Sequence, residues 1–66
     1  MKYKKIFDWD TGKGWIDAQI IWYKTNNVLS VDSIINAKTG EKIEYNDDLI
    51  DWKELRYSSI PEYKAE

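Results

Sequence analysis

The chain contains no cysteine, and at 66 residues this decides how it must hold itself together. A domain of this length buries only about 60% of the surface its unfolded chain exposes, and small domains often add disulfides or metal sites to compensate. Neither thiol-based device is open here. Packing has to suffice, and four Trp, five Tyr and one Phe are the means. Each such ring buries on the order of 150–250 Å² for few fixed torsions. Apolar residues reach 42%, above the level of disordered chains, so a single compact domain over 1–66 is expected.

Three turn signals divide the first two-thirds of the chain: Asp10-Thr11-Gly12-Lys13, Lys24-Thr25-Asn26-Asn27 and Lys38-Thr39-Gly40. The runs between them are rich in Ile, Val, Trp and Tyr and predict strands at about 2–9, 14–23, 28–36 and 41–46. Register follows from keeping one face apolar. A turn at Thr25-Asn26 sets Trp22 against Leu29, Ile20 against Val31, Ala18 against Ser33 and Ile16 against Ile35. A three-residue loop ending in a left-handed Gly40 pairs Ile35 with Ile43 and Ser33 with Tyr45 on that same face. In the first hairpin, Trp9 opposite Gly14 places Phe7 against Ile16 and Tyr3 against Ile20, with Lys5 intruding.

After Tyr45 the period changes. Asn46 or Asp47 can cap a helix over 47–57, with Leu49, Ile50, Trp52 and Tyr57 on one side and Leu55 outside the stripe. Pro61 stops it, leaving an extended tail over 58–66. The expected fold is α+β: a four-stranded antiparallel meander followed by one C-terminal helix, ββββα, with curling toward a small barrel as its variant.

Chemistry is scarce. Histidine is absent along with cysteine, which removes the commonest general base, the thiol nucleophile and the usual nitrogen and sulfur ligands. Asp8-Trp9-Asp10-Thr11-Gly12 opens like a calcium loop but departs from it at Gly12, Lys13 and Gln19. Thr11-Gly12-Lys13-Gly14 lacks the upstream glycine and following helix of a phosphate loop. Both read as turns. We therefore expect no catalysis, no cofactor and no bound metal.

Binding is the remaining class. The register leaves Ile6, Trp15, Ile21, Tyr23, Val28 and Ile34 on the second sheet face, among Asp17, Gln19, Ser30 and Asp32. A face left to water should be polar on alternate residues, and this one is too apolar. The tail covers it, the sheet curls, or another protein covers it. Trp and Tyr recur as binding hot spots, so Trp15, Ile21 and Tyr23 are candidate partner-binding residues. A second candidate set is the acidic helix face, where Asp47, Asp51 and Glu54 (with Asp48) can imitate nucleic-acid phosphates.

The expected function is that of a small non-enzymatic protein-binding module. Its size, nine Lys and nine Ile are similar to those of small phage or mobile-element proteins that block a host machine, nuclease inhibitors of the anti-CRISPR kind included. The partner is then a host protein or nuclease complex, or a second copy of the chain. The alternatives are a small barrel stacking single-stranded nucleic acid on aromatics, or a homodimeric structural protein. A net charge of −2 weighs against direct nucleic-acid binding. Lys2-Tyr3-Lys4-Lys5 is not followed by an apolar run of about seven residues or more, and no membrane-length segment occurs, so a cytoplasmic location, bacterial if phage-derived, is expected.

Overall fold

A computed structural model describes residues 1–65 and shows three strands. They are β1 (Lys2–Asp10), β2 (Trp15–Thr25) and β3 (Val28–Asn36), in one open antiparallel sheet of order β1-β2-β3. A 3-10 turn (Asp47–Leu49), the helix α1 (Trp52–Tyr57) and a second 3-10 turn (Pro61–Tyr63) follow and cover one face. The last two lie in and beside the segment expected as a tail, whose final residue, Glu66, lies outside the described residues. The fold is α+β, but the four-stranded ββββα arrangement and its barrel variant are not what forms.

The fourth strand is missing because of an irregularity in the third. Trp22 pairs with Val31, yet Ile21 pairs with Ser33, so Asp32 is an extra residue in a β-bulge. A bulge shifts the alternation by one, and this turns Ile34 into the core and Ile35 outward, the reverse of the expected faces. The segment after Gly40 meets β3 one residue out of the expected register, with Ile35 opposite Lys42. Two backbone bonds hold it, Asn36 N–H to Glu41 O and Ile43 N–H to Ile34 O, each 2.8 Å. Extending that ladder would bring Tyr45 opposite Asp32, the bulged residue, and the pairing ends short of it, after Ile43. The two one-residue shifts cancel, so Ile43 and Tyr45 still pack against the core.

Turn chemistry accounts for the remaining register. The second hairpin closes on Asn26 and Asn27, with φ of 52° and 66°. A two-residue turn of this hand needs left-handed backbone at both positions, and asparagine is the residue other than glycine that best tolerates it. In the first hairpin Gly14, at φ 146°, cannot extend the strand, so pairing begins with Asp10 opposite Trp15. Both hairpins are slipped by two residues from the expected register, the second pairing Trp22 with Val31 in place of Leu29, and a slip of two preserves the faces.

The single helix expected over 47–57 is two short pieces. The Asn46 side chain accepts from Asp48 N–H at 3.0 Å and starts the first; Asp51 accepts from Glu54 N–H at 3.0 Å and starts the second. Ile50 between them is extended and buried. The break resets the helical phase. Leu55, expected off the apolar stripe, is only 1% exposed, whereas Leu49 and Tyr57, expected on it, are largely exposed.

The core forms between the sheet and these pieces. Trp22 is fully buried at its centre, with Tyr3 stacked on it at 5.6 Å and Phe7 edge-on at 6.0 Å. Its indole N–H donates to Ser59 Oγ at 2.9 Å, and that hydroxyl donates to Leu55 O at 2.7 Å. Truncating a buried aromatic costs roughly 3–5 kcal/mol, comparable with the whole stability of a small domain, about 5 kcal/mol at the low end. Trp22→Ala should therefore be largely unfolded by circular dichroism at room temperature; a variant melting close to the parent would remove Trp22 from the centre of the fold.

Candidate functional site

Three features of the described residues invite a functional reading: a cation on the helix side, a cleft beside it and the opposite sheet face. Lys5 lies opposite Ile20 and points to the helix side of the sheet. Its ammonium donates to Ser58 Oγ at 3.2 Å and sits 3.6 Å from Glu54 Oε1. It also lies over the Phe7 ring at 5.1 Å and the Tyr63 ring at 4.9 Å. The intruding charge is thus satisfied on every side, and its contacts tie β1 to α1 and to the C-terminal turn. Its role is to join these elements.

A half-open cleft of about 250 Å³ lies between β1 and the helical pieces, lined by Phe7, Asp8, Trp9, Leu49, Asp51 and Glu54 among others. Two of its carboxylates are already engaged. Asp51 caps α1, and Glu54 partners Lys5. Among the described residues no group of three His, Cys, Asp or Glu side chains is arranged to hold a metal ion.

The acidic set expected to imitate phosphates is divided by the same caps. Asp47 and Asp48 belong to the first 3-10 turn, Asp51 lies between the pieces, and Glu54 is turned toward Lys5. The continuous acidic helix face that the spacing suggested does not exist, because there is no continuous helix.

The opposite sheet face brings the other predicted residues together. Strand alternation puts Lys2, Lys4, Ile6, Asp8 and Asp10 of β1 on it, beside Tyr23, Ile21, Gln19, Asp17 and Trp15 of β2 in that order. Trp15 is 70% exposed and Ile6 56%, while Ile21 and Tyr23 are partly shielded by their neighbours. The exposed Val28 and the half-buried Ile35 complete the apolar set on β3. Ile35 takes the place expected for Ile34. Neither intramolecular explanation for this face applies to the described residues. The C-terminal segment instead meets the free edge of β1, where Tyr3 bridges to Lys64 and Ala65 N–H donates to Lys2 O at 2.8 Å. The sheet is open, with β1 and β3 as its edges.

Sequence reasoning missed the distribution of charge on that face. Asp8 is directly opposite Asp17, and Asp10 opposite Trp15. Like charges set opposite one another across a sheet are unfavourable, so the pair costs the isolated domain stability. The signal was present in the alternate residues of β1, Lys-Lys-Ile-Asp-Asp, and needed only to be read with period two.

Compared with protein-family models, with curated proteins and with solved structures, the chain matches none. The functional argument therefore rests on geometry.

If Asp51 serves as a cap, Asp51→Ala should cost about 1 kcal/mol of stability and Asp51→Asn much less. Urea unfolding of the two variants measures this. Equal stability for Asp51→Ala and the parent would free Asp51 for a binding role.

Proposed function

We propose that the chain works by binding protein, without catalysis, and that the open sheet face carrying Trp15, Ile21 and Tyr23 is its contact surface. One observation carries this reading: the face opposite the helix exposes Ile6, Trp15 and Val28, spread along its length, and nothing among the described residues covers them. A sheet face meant for water alternates to polar residues, and large rings at the centre of a contact supply much of its energy.

The narrower form of the proposal is an inhibitor, acting in the cytoplasm, carried by a phage or mobile element and directed at a host nuclease. Its support is the small size and the Lys- and Ile-rich composition. Phosphate imitation by Asp47, Asp51 and Glu54 is a weaker route to it, since Asp51 and Glu54 have structural partners. Stacking of single-stranded nucleic acid on Trp15 is disfavoured by its neighbours, because Asp10 and Asp17 would repel the phosphates. Among the described residues no helix is long and apolar enough to cross a membrane.

The double variant Trp15→Ser with Tyr23→Ser tests the surface. Its circular dichroism spectrum and melting temperature should stay near those of the parent, since neither side chain belongs to the buried core. Immobilised in a lysate of the cells that make it, the variant should lose the proteins that the parent captures, while Asp47→Lys with Asp48→Lys keeps them. An unfolded double variant would make the face internal. Unchanged capture would move binding elsewhere.

A further inference from the structure

We infer that the occupant of the open face is a second copy of this chain, packed antiparallel on the first about a two-fold axis that crosses the strands at Ile6. The inference rests on reading that face as a protein contact, and names what fills it.

A two-fold contact must be self-complementary: wherever residue i meets residue j, j also meets i. The outward residues of β1 meet this condition. Lys2 and Lys4 lie on one side of Ile6, Asp8 and Asp10 on the other, at matching spacings along the strand. An axis lying across the strands keeps β1 over β1 and reverses its direction. Lys4 then faces Asp8 of the second copy, Lys2 faces Asp10, and Ile6 faces its own counterpart. The middle strand meets the condition at its two ends, while Gln19 faces its own counterpart and Asp17 comes over Ile21 of the second copy. Gln19 pairs with Ile6, and Trp15 and Tyr23 lie four residues to either side of it. The axis therefore sets Trp15 over Tyr23 of the second copy, an aromatic pairing at each end of the contact. On β3 the residue level with Gln19 is Ile35, which adds a third side chain to the central row.

Other arrangements lack this match. Parallel packing, about an axis running along β2, sets β1 over β3 and Asp17 over Asp17, so Lys2 and Lys4 meet the Ser30 and Ser33 levels, with no carboxylate opposite, while two like charges meet on the middle strand. Strand addition at the β1 edge is obstructed by the C-terminal segment at Lys2 and Tyr3. A foreign partner would need the reverse polarity along its own surface, acidic at one end and basic at the other. This chain already presents it.

Size sets the expected strength. Strands of about nine residues at about 3.3 Å each, three abreast at about 4.8 Å, give a face of about 30 by 14 Å. That is the small end of protein contacts, so the dimer should be reversible, with a dissociation constant on the order of 10–100 μM. Lys2 is also 3.9 Å from Asp32 in its own chain. Such exposed pairs exchange at little cost, and the test therefore uses Lys4 and Asp8.

Sedimentation equilibrium at low salt, from micromolar to millimolar protein, is run on the parent, on Lys4→Glu, on Asp8→Lys and on an equimolar mixture of the two variants. The parent should show a reversible monomer–dimer equilibrium. Each variant alone should associate at least about tenfold more weakly, because symmetry counts each reversed charge twice. The mixture should recover association, since Glu at position 4 then meets Lys at position 8 while the unaltered Lys4 and Asp8 meet at the other end. Asp8→Lys should at the same time melt no lower than the parent, because it removes the repulsion with Asp17, so its loss of association is not unfolding. A parent that stays monomeric to about 1 mM, variants that dimerise like the parent, or a mixture that fails to recover would each overturn the second copy. A monomeric parent whose capture of other proteins is lost with Trp15→Ser and Tyr23→Ser would leave the protein-contact reading standing. Capture that survives that double substitution would remove the contact reading itself.

Discussion

Everything on the helical side of this domain is organised around the burial of Trp22. In a chain without disulfides a large buried side chain can tie separate elements together, and the indole does so. Its faces and edges meet Tyr3 and Phe7 from β1, and its N–H reaches Ser59 beyond the end of α1. The Ser59 hydroxyl passes the hydrogen bond on to Leu55 O, so a buried polar atom of the core is satisfied by the helix that covers it. Lys5 makes a second, more exposed tie through Ser58 and Glu54. With so few residues in the helix, these side-chain ties and the burial of Ile50 and Leu55 hold it in place, since six residues are too few for a helix to stand alone.

Concentrating the apolar contacts on one side leaves the other side of the sheet uncovered. Three strands and one short helix make two layers, and a two-layer domain has one sheet face with no cover of its own. Here that face carries Ile6 and Ile35 either side of Gln19 in its middle row and, on β1, opposite charges at its two ends. The Asp8–Asp17 opposition is unfavourable within the monomer, and a cation arriving from another chain would relieve it. The fold and the proposed contact thus follow from the same economy of core.

Much of this was legible in the residues. The three strands, the two-sided division of β1 and β2, the left-handed Gly40 and the caps at Asn46 or Asp47 all follow from local turn chemistry and alternation. Trp15, Ile21 and Tyr23 fall together on the outer face for the same reason. The failures have two causes, one in the sheet and one in the helix. The bulge at Asp32 has no local signature, since Ser-Val-Asp-Ser reads as ordinary alternation, and one inserted residue exchanged the faces of Ile34 and Ile35 and ended the pairing of the fourth strand. Asp51 looked like a solvated position on a helix face, but a carboxylate that can cap the next turn competes with helix continuation. That competition fixed the phase which buries Leu55 and dispersed the acidic set. Tertiary burial of Ile50 decided it, and a helical wheel does not contain that term.

The central claim is that the face bearing Trp15 lies outside the monomer core and is covered by another copy of the chain. Its most direct measure is the set of four indole N–H signals in a nitrogen–proton correlation spectrum, followed from low micromolar to millimolar protein. The Trp15 indole should shift with concentration, along with the backbone amides of Ile6, Gln19 and Tyr23, while the Trp22 indole stays fixed in the core. Concentration-independent Trp15 signals, or shifts confined to α1 and the turns beside it, would contradict the account.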